Sequence, residues 1–520
     1  MAAVVALASA TAIARTPDDT LVMALKIDDI ITLDPAEVFE FSGAEYAAQV
    51  YDRLISYDVR DVSRILPGAA ESWTISDDGR TFTFKIRDGI TFHSGNPLTA
   101  RDAAFSLRRV VKLDQSPAFI LTQLGWNADN VDGLVRALDD RTLQFTTDQS
   151  YAPTFVLYLL TAGVGSVVDE KLAMEHEVDG DLGHGWLRTN SAGSGAFKLN
   201  AWRPNESLVL DRNDDYWQGS PGFRRAFVRH IPESATQSLL LQNGDIDIAR
   251  NLTPEQLAVL RGNPAYNVEA SPKGAIWYLG LNTRRGPFQN IEVRNALKFL
   301  IDYDTIRDTI LGGQMVVHQA FLPRGFLGAL EETPYSYDPA KARELLAAAG
   351  YADGFSITMD TRNNFPVMDM AQAIQASFAE AGIELEIIPG DGSQTLTKYR
   401  ARNHDIYIGR WGPDYQDPHT NADTFANNPD NSDDAGFKPL AWRNAWDIPA
   451  LSRQTQAALL ERDPARRAEM YLDLQREHQQ VSPFVIMFQE TEVIASRSDM
   501  GGMVWGPSFD DNRYWQGTKN

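Results

Sequence analysis

Seventy Asp and Glu residues, eight histidines and no cysteine are the groups from which any chemistry of this 520-residue chain must be drawn. Without thiols there is no Cys nucleophile, no Cys-based zinc site, no iron–sulfur cluster and no disulfide. The histidines are His93, His176, His184, His230, His318, His404, His419 and His478, and none pair at the spacing that puts two ligands on one helix face. A zinc hydrolase is therefore not expected. A Gly-x-Ser-x-Gly elbow, a P-loop and a dinucleotide fingerprint are all missing. What remains is carboxylate pairs such as Asp414 and Asp417 in the run Tyr407-Ile-Gly-Arg-Trp-Gly-Pro-Asp-Tyr-Gln-Asp-Pro418. Two such groups can serve as the acid and base of a glycosidase. In so acidic a chain the spacing recurs often, so it is weak evidence for an enzyme, and no cofactor or metal is expected.

The framework that must hold these residues is large. The length exceeds one ordinary domain and suits two lobes or three smaller units. Hydrophobic residues at 43% and aromatics at 10% are enough for a buried core. A net charge of -22 repels phosphate backbones and anionic lipid heads, so nucleic acid and membrane surfaces are not expected partners. The same charge mildly favours cationic solutes, although plain solubility explains it as well. Met1 to Ala14, MAAVVALASATAIA, reads as the core of a secretion signal with an Ala-x-Ala cleavage site. The alternative is a frayed Ala-rich terminus. The run is shorter than the ~20 apolar residues of a membrane span. With no cysteine to acylate, a secreted protein without a lipid anchor is expected, in a Gram-negative periplasm.

Periodicity supplies the elements. Leu21 to Leu25 reads as a first strand and Ala44 to Leu54 as a helix. Ser72 to Phe92 alternates apolar and polar residues about Asp78-Gly79, a hairpin pattern. Thr99 caps a helix from Ala100 to Val111. A strand and a helix follow between Arg141 and Tyr158, then strands at Ala196–Trp202 and Ser207–Asp211. Later, Asp338-Pro339 opens a helix with Ala342, Leu345, Leu346 and Ala349 on one face, stopped by Gly350. A strand at Ser356–Met359 follows. A helix presenting Ala371, Ile374 and Phe378 and a strand through Ile383, Leu385 and Ile387 complete an α/β unit. No repeat, low-complexity segment or long Pro/Gly linker interrupts the chain.

Several stretches carry a resemblance. Leu66 to Arg109 reads LPGAAESWTISDDGRTFTFKIRDGITFHSGNPLTARDAAFSLRR. Tyr51-Asp-Arg-Leu54, Gly193-Ser-Gly-Ala-Phe-Lys-Leu199, Arg212-Asn-Asp-Asp-Tyr-Trp217 and Gly244-Asp-Ile-Asp247 follow in order. Asn282 through Pro287-Phe288 to Arg294, and Tyr337-Asp-Pro339 with Leu345-Leu346 and Gly350-Tyr351, complete the series. Together they resemble the dipeptide-, oligopeptide- and nickel-binding family (family 5) of ABC-transporter solute-binding proteins over nearly the whole chain. The motifs mark the scaffold more than the ligand: Trp73 and Phe82 read as core aromatics and Asp78-Gly79 as a turn.

The resemblance implies an α/β, two-lobed periplasmic-binding-protein-like fold, of the type II variety with three subdomains, that captures a solute and does no chemistry on it. Lobe I would comprise residues 15–272 and 490–520, with an insertion at about 60–188. Lobe II would comprise 273–489, with crossing strands near Lys273-Gly274 and Phe488-Gln489. The partners implied are a peptide or other small solute and the permease subunits of an inner-membrane importer, with the protein itself a monomer. Peptide binders of this family end a cleft strand in Trp-x-x-Asp-x-x-Asp-Pro and grip the ligand's ammonium with the first Asp, here Asp414. A turn cap is the alternative for Asp414, and the better reading of Asp417. Arg362 lies near the family's carboxylate-binding arginine, or is a solvated loop residue. Phe39, Phe41, Trp277, Trp411 and Tyr415 are aromatic candidates for the cleft, each alternatively plain core. Relatives of the scaffold also take nickel chelates, haem, opines, sugars and antimicrobial peptides, so a non-peptide ligand stays open, with a secreted hydrolase or a role in presenting ligand to a sensor as further alternatives.

Overall fold

A computed structural model describes residues 15–363 and 365–520. The expected secretion segment, Met1 to Ala14, lies outside the described residues. Eleven strands form one mixed sheet: β1 (Thr20–Leu25), β2 (Phe197–Arg203), β3 (Ser207–Arg212), β4 (Arg225–His230), β5 (Ile248–Ala249), β6 (Tyr266–Leu281), β7 (Met315–Val317), β8 (Phe355–Arg362), β9 (Ile383–Gly390), β10 (Ile406–Trp411) and β11 (Phe484–Arg497). Their order across the sheet is β9-β8-β10-β6-β11-β5-β1-β4-β3-β2, with β7 pairing β11 off that path.

Side-chain alternation explains why the sheet is buried on both faces. In β1, Leu21, Met23 and Leu25 enter one core with Tyr46 and Phe197, while Val22 and Ala24 enter another with Leu241 and Leu257. In β6, Trp277, Leu279 and Leu281 face a core with Phe288, Ile374 and Phe378. Ile276 and Tyr278 face the opposite one with Phe425 and Phe484. The cores flanking β1 and those flanking β6 are distinct, and the long strands β6 and β11 join the two halves.

These two strands pair antiparallel, Tyr266–Pro272 opposite Arg497–Thr491 and Ile276–Gly280 opposite Gln489–Phe484. The ladder breaks between Pro272 and Ile276, where Pro272 has no N–H to give. The displaced Gly274 N–H donates instead to Pro507 O (2.9 Å). A buried ion network sits beside the break. Glu492 of β11 pairs with Lys273 (3.0 Å) and Arg250 (2.5 Å). Arg250 also pairs with Glu45 on the helix Phe41–Val50. Although burial opposes it, the two cations hold the Glu492 carboxyl below its ordinary value.

A separate antiparallel sheet has the order Ala70–Ile75, Thr81–Ile86, Thr142–Thr146, Val135–Ala137. Phe145 stacks on Phe82 and Phe84 at 5.2 and 5.6 Å. The helix Ala100–Leu113 covers this sheet, opened by a capping box in which the Thr99 N–H donates to Asp102 Oδ2 (2.8 Å). Tyr415 and Leu459, from the other half of the chain, complete the same core.

The expected hairpin, the capped helix and the later α/β unit are all present. The expected helix Ala44–Leu54 instead spans Phe41–Val50, and Tyr51 is extended (φ -119°). The reason is the Gly193-Ser194-Gly195 turn. Gly195 N–H donates to Val50 O (2.9 Å), and a Cβ at Gly193 would stand 1.9 Å from that oxygen. Backbone packed this closely on Val50 O leaves no room for a further helical turn.

Candidate functional site

β10 delivers the site. Ile406 and Ile408 anchor it in one core and Tyr407 in the other, and its end reaches the break in β6, with Trp411 opposite Ile276. Trp411 Nε1–H donates to Asn421 Oδ1 (3.2 Å), which fixes the indole. The chain then leaves the sheet through Gly412-Pro413. Pro413 packs on Gly274, where a Cβ would lie only 3.1 Å from the proline ring. The glycine thus lets the strand break and the site loop touch.

Asp414 follows. Its backbone N–H donates to Thr420 Oγ1 (3.1 Å), tying the loop to the helix His419–Phe425. Its carboxylate opens on a cavity but is otherwise enclosed by protein, and no hydrogen bond or ion pair to it occurs among the described residues. Burial alone pushes its pKa up to about 7. Lost hydration of the charged form is the cause, and a cation placed beside it would reverse the effect.

Asp417 is a contrast. It is 0% exposed and accepts two hydrogen bonds from Arg467, itself 0% exposed, at 2.6 and 2.7 Å. The His419 N–H donates to it as well (2.9 Å). Fully spent on these partners, Asp417 lines neither cavity at Asp414 and holds the loop in place.

Two cavities meet at Asp414. The first encloses about 270 Å³ between Phe39, Phe41, Val164 and Phe509 on one side and β10 with its loop on the other. The second, about 510 Å³, lies between Phe119 and Gln123 on one side and Phe437–Leu440 with Arg443 on the other. Trp411, Asp414 and Tyr415 belong to both. Phe39 and Phe41 are 44% and 42% exposed, and Phe39 meets Phe119 edge-on at 6.0 Å. Phe41 packs on Phe509 (4.8 Å), and the Arg410 guanidinium lies 4.6 Å from its ring centre. Glu490 holds that guanidinium at 2.5 and 3.0 Å. The Tyr415 hydroxyl donates to Gln123 Oε1 (3.2 Å), and both residues line the second cavity.

Of the residues singled out from sequence, Asp414, Trp411, Phe39, Phe41 and Tyr415 come together around the cavities. Trp277 does not. It is 8% exposed and sits on the face of β6 that packs against the helices. Arg362 is exposed at the end of β8 and lines neither cavity. Sequence reasoning missed Tyr57, Thr161–Val164, Arg410 and the C-terminal Phe509-Asp510, which reach the first cavity from distant elements. Only Arg410, next to Trp411, had a local signal. No cluster of His, Asp and Glu fit to hold a metal occurs among the described residues, nor is any helix there long and apolar enough to cross a membrane.

Comparison with known proteins agrees with this architecture. The sequence pattern of "Bacterial extracellular solute-binding proteins, family 5 Middle" matches residues 64–433. The probable D,D-dipeptide-binding periplasmic protein DdpA of Escherichia coli K12 is 30% identical over 96% of this chain and 93% of its own length. The nickel-binding periplasmic protein of the same organism is 26% identical over 94% of each chain. In structure, the periplasmic binding protein DppA of Helicobacter pylori, solved with the peptide STSA, superposes with a TM-score of 0.78 at 27% identity, over 96% of this chain and 98% of that one. With its α/β halves joined by two long strands and a cavity at their junction, the chain is a member of the bacterial extracellular solute-binding proteins, family 5.

Proposed function

We propose that this protein works in the periplasm, captures a peptide or another amino-bearing small solute between its two halves, and delivers it unaltered to the permease of an ABC importer. The observation that carries the reading is the Asp414 carboxylate, enclosed, without a cation among the described residues, and flanked by Phe39, Phe41, Trp411 and Tyr415. A buried carboxylate is costly alone and favourable against an ammonium, so the site discriminates for amines. The aromatic rings add stacking surface for peptide planes or a cation. The volumes lie around and above the lower limit of the ~300–1,000 Å³ range of small-molecule pockets. Two of the relatives named above, the one described as D,D-dipeptide-binding and the one solved with a peptide, point the same way. A glycosidase reading loses its second carboxylate, because Asp417 is consumed by Arg467.

The two halves would be lobes comprising residues 15–272 with 490–520, and 273–489, the insertion at about 60–188 riding on the first. Closure about the break in β6 and β11 would bury the ligand. Calorimetry on an Asp414→Asn variant tests the reading. A free tripeptide should lose about 2–5 kcal/mol of binding, at least ~30-fold, while its N-acetyl form binds both proteins equally poorly. Unchanged affinity for the free peptide would remove Asp414 from the site.

A further inference from the structure

The first cavity is lined by two buried polar side chains that the fold leaves without a partner. Tyr57 is 1% exposed, held in the strand Ile55–Asp58 opposite Ile65 of the strand Asp61–Pro67, with its ring 6.4 Å from that of Tyr158. The Tyr158 hydroxyl donates to Val62 O, but the Tyr57 hydroxyl, also buried, has no hydrogen-bond partner among the described residues. Gln416 is 5% exposed and sits between Tyr415 and Asp417 on the site loop, which the Asp417–Arg467 pair fixes. Its Oε1 is likewise without a partner there. Both residues line the first cavity. A buried oxygen that meets no donor or acceptor costs stability, and Phe and Met would fill the same space without that cost. Core packing therefore does not account for either residue.

The charged groups of the same wall are matched. Arg410 is held by Glu490, and Asp510 pairs with Arg53 at 3.1 Å. The Thr161 hydroxyl is spent on Tyr158 O (2.8 Å). Apart from Asp414, the cavity offers a ligand no unmatched charge among the described residues, and Val38, Phe41, Ile120 and Val164 make much of its remaining surface apolar. A few placed polar groups in an apolar wall are what fixes the orientation of a small ligand.

We propose that Tyr57 and Gln416 make the first cavity a subsite for a neutral group that both donates and accepts hydrogen bonds, a hydroxyl or a carboxamide, carried by the ligand beside the amine that Asp414 holds. The inference rests on the amine-clamp reading of Asp414 and adds the chemistry of the ligand's second group. Gln416 Oε1 can only accept, so the ligand must supply an O–H or N–H; the Tyr57 hydroxyl can donate in return. A carboxylate has no proton for Gln416 and would share the cavity with Asp414. An apolar group of the same shape fits but leaves both oxygens unmet. Selection of a polar group over its apolar isostere is thus the signature of this subsite.

The test uses tri-alanine with Thr or its isostere Val, and Asn or its isostere Leu, placed at each position in turn, against wild type and the Tyr57→Phe/Gln416→Met double variant. Calorimetry should show, at one position, the polar peptide binding wild type about tenfold more tightly than its isostere, and the double variant binding the two alike. No preference at any position in wild type, or a preference that persists in the variant, overturns the proposal. Thermal unfolding of the ligand-free proteins gives a second readout. The variant keeps the shape and removes both unmet oxygens, so it should unfold at or above the wild-type temperature. A fall of several degrees would mean that the fold itself pairs these oxygens, and overturns the proposal as well. Equal binding of a free peptide and its N-acetyl form by wild type overturns only the Asp414 clamp. If no peptide binds, the peptide reading fails, and NMR titration with butyramide and its isostere methyl propyl ketone, neither of which carries an amine, decides the subsite. Binding of the amide by wild type that exceeds the ketone's and is lost in the variant supports it; no binding, or equal binding by the two proteins, overturns it.

Discussion

A carboxylate enclosed by protein and left without a cation titrates where its burial places it, and for Asp414 that is about 7. An ammonium ligand needs the ionised form, so affinity should fall close to tenfold for each pH unit below 7. It should level off above 7, until the ligand's own amine, near 7.7–8.0, begins to lose its proton. Calorimetry of a free tripeptide between pH 5.5 and 7.5 measures this, and a flat profile would mean that Asp414 does not meet the amine. Around this residue the local sequence carries the positions that reach the cavities. Trp411 ends β10, Asp414 and Tyr415 follow on the loop after it, and all three line both cavities. The local sequence was a poorer guide for Trp277 and Arg362. Which face of β6 meets the helices depends on the phase of its pleat against two cores, and no local spacing reveals that phase. Nor did Asp417 show in sequence that its partner would be Arg467, 50 residues further on and equally buried.

Elements with a strong local pattern were readable before the structure: the hairpin about Asp78-Gly79, the capped helix Ala100–Leu113, and the strand–helix–strand unit from Phe355 to Gly390. The pairing of β6 with β11 was not, because it joins segments far apart in the chain through backbone hydrogen bonds. The ion network at their break was equally hidden. It brings Glu45, Arg250, Lys273 and Glu492 together from four separate stretches. Since Arg250 and Lys273 are both buried, replacing Glu492 with Gln leaves two cations against one acid. That imbalance should cost about 3–5 kcal/mol, seen as a lowered urea midpoint. The helix that carries Phe41 is tied to the same network through Glu45, so ligand affinity should fall with it. A Glu492→Gln protein with the stability and affinity of wild type would remove the network from any role in positioning the site.

Across the molecule, buried histidines set the response to acid. Burial lowers His93, His318 and His404 to about 4 and His478 to about 3, and it lowers His419 as well. Each is neutral when folded and takes up a proton near 6.5 when unfolded, so its contribution is lost as pH falls from about 6.5 toward 4. Asp52 and Asp511, raised by burial to about 6, and Asp414 act in the opposite sense over much of that window, since they bind protons more readily when folded. Asp102, Glu170 and Asp360 are raised by burial in the same sense, but the five histidines lose their contribution from the top of the window downward, so the urea midpoint of the ligand-free protein should be lower at pH 5 than at pH 7; a higher one would contradict this balance. The large acidic surface, by contrast, was legible from composition and bears on solubility more than on the site. The claim on which the account turns is that the junction of the two halves binds an amine-bearing solute. A thermal-shift series with free di- to pentapeptides and their N-acetylated forms tests it most directly. At a hundred times the dissociation constant, a bound ligand adds ~2.7 kcal/mol of apparent stability. The account predicts a clear upward shift with at least one free peptide that vanishes on acetylation; an equal shift with the acetylated form, or no shift with any free peptide, would contradict it.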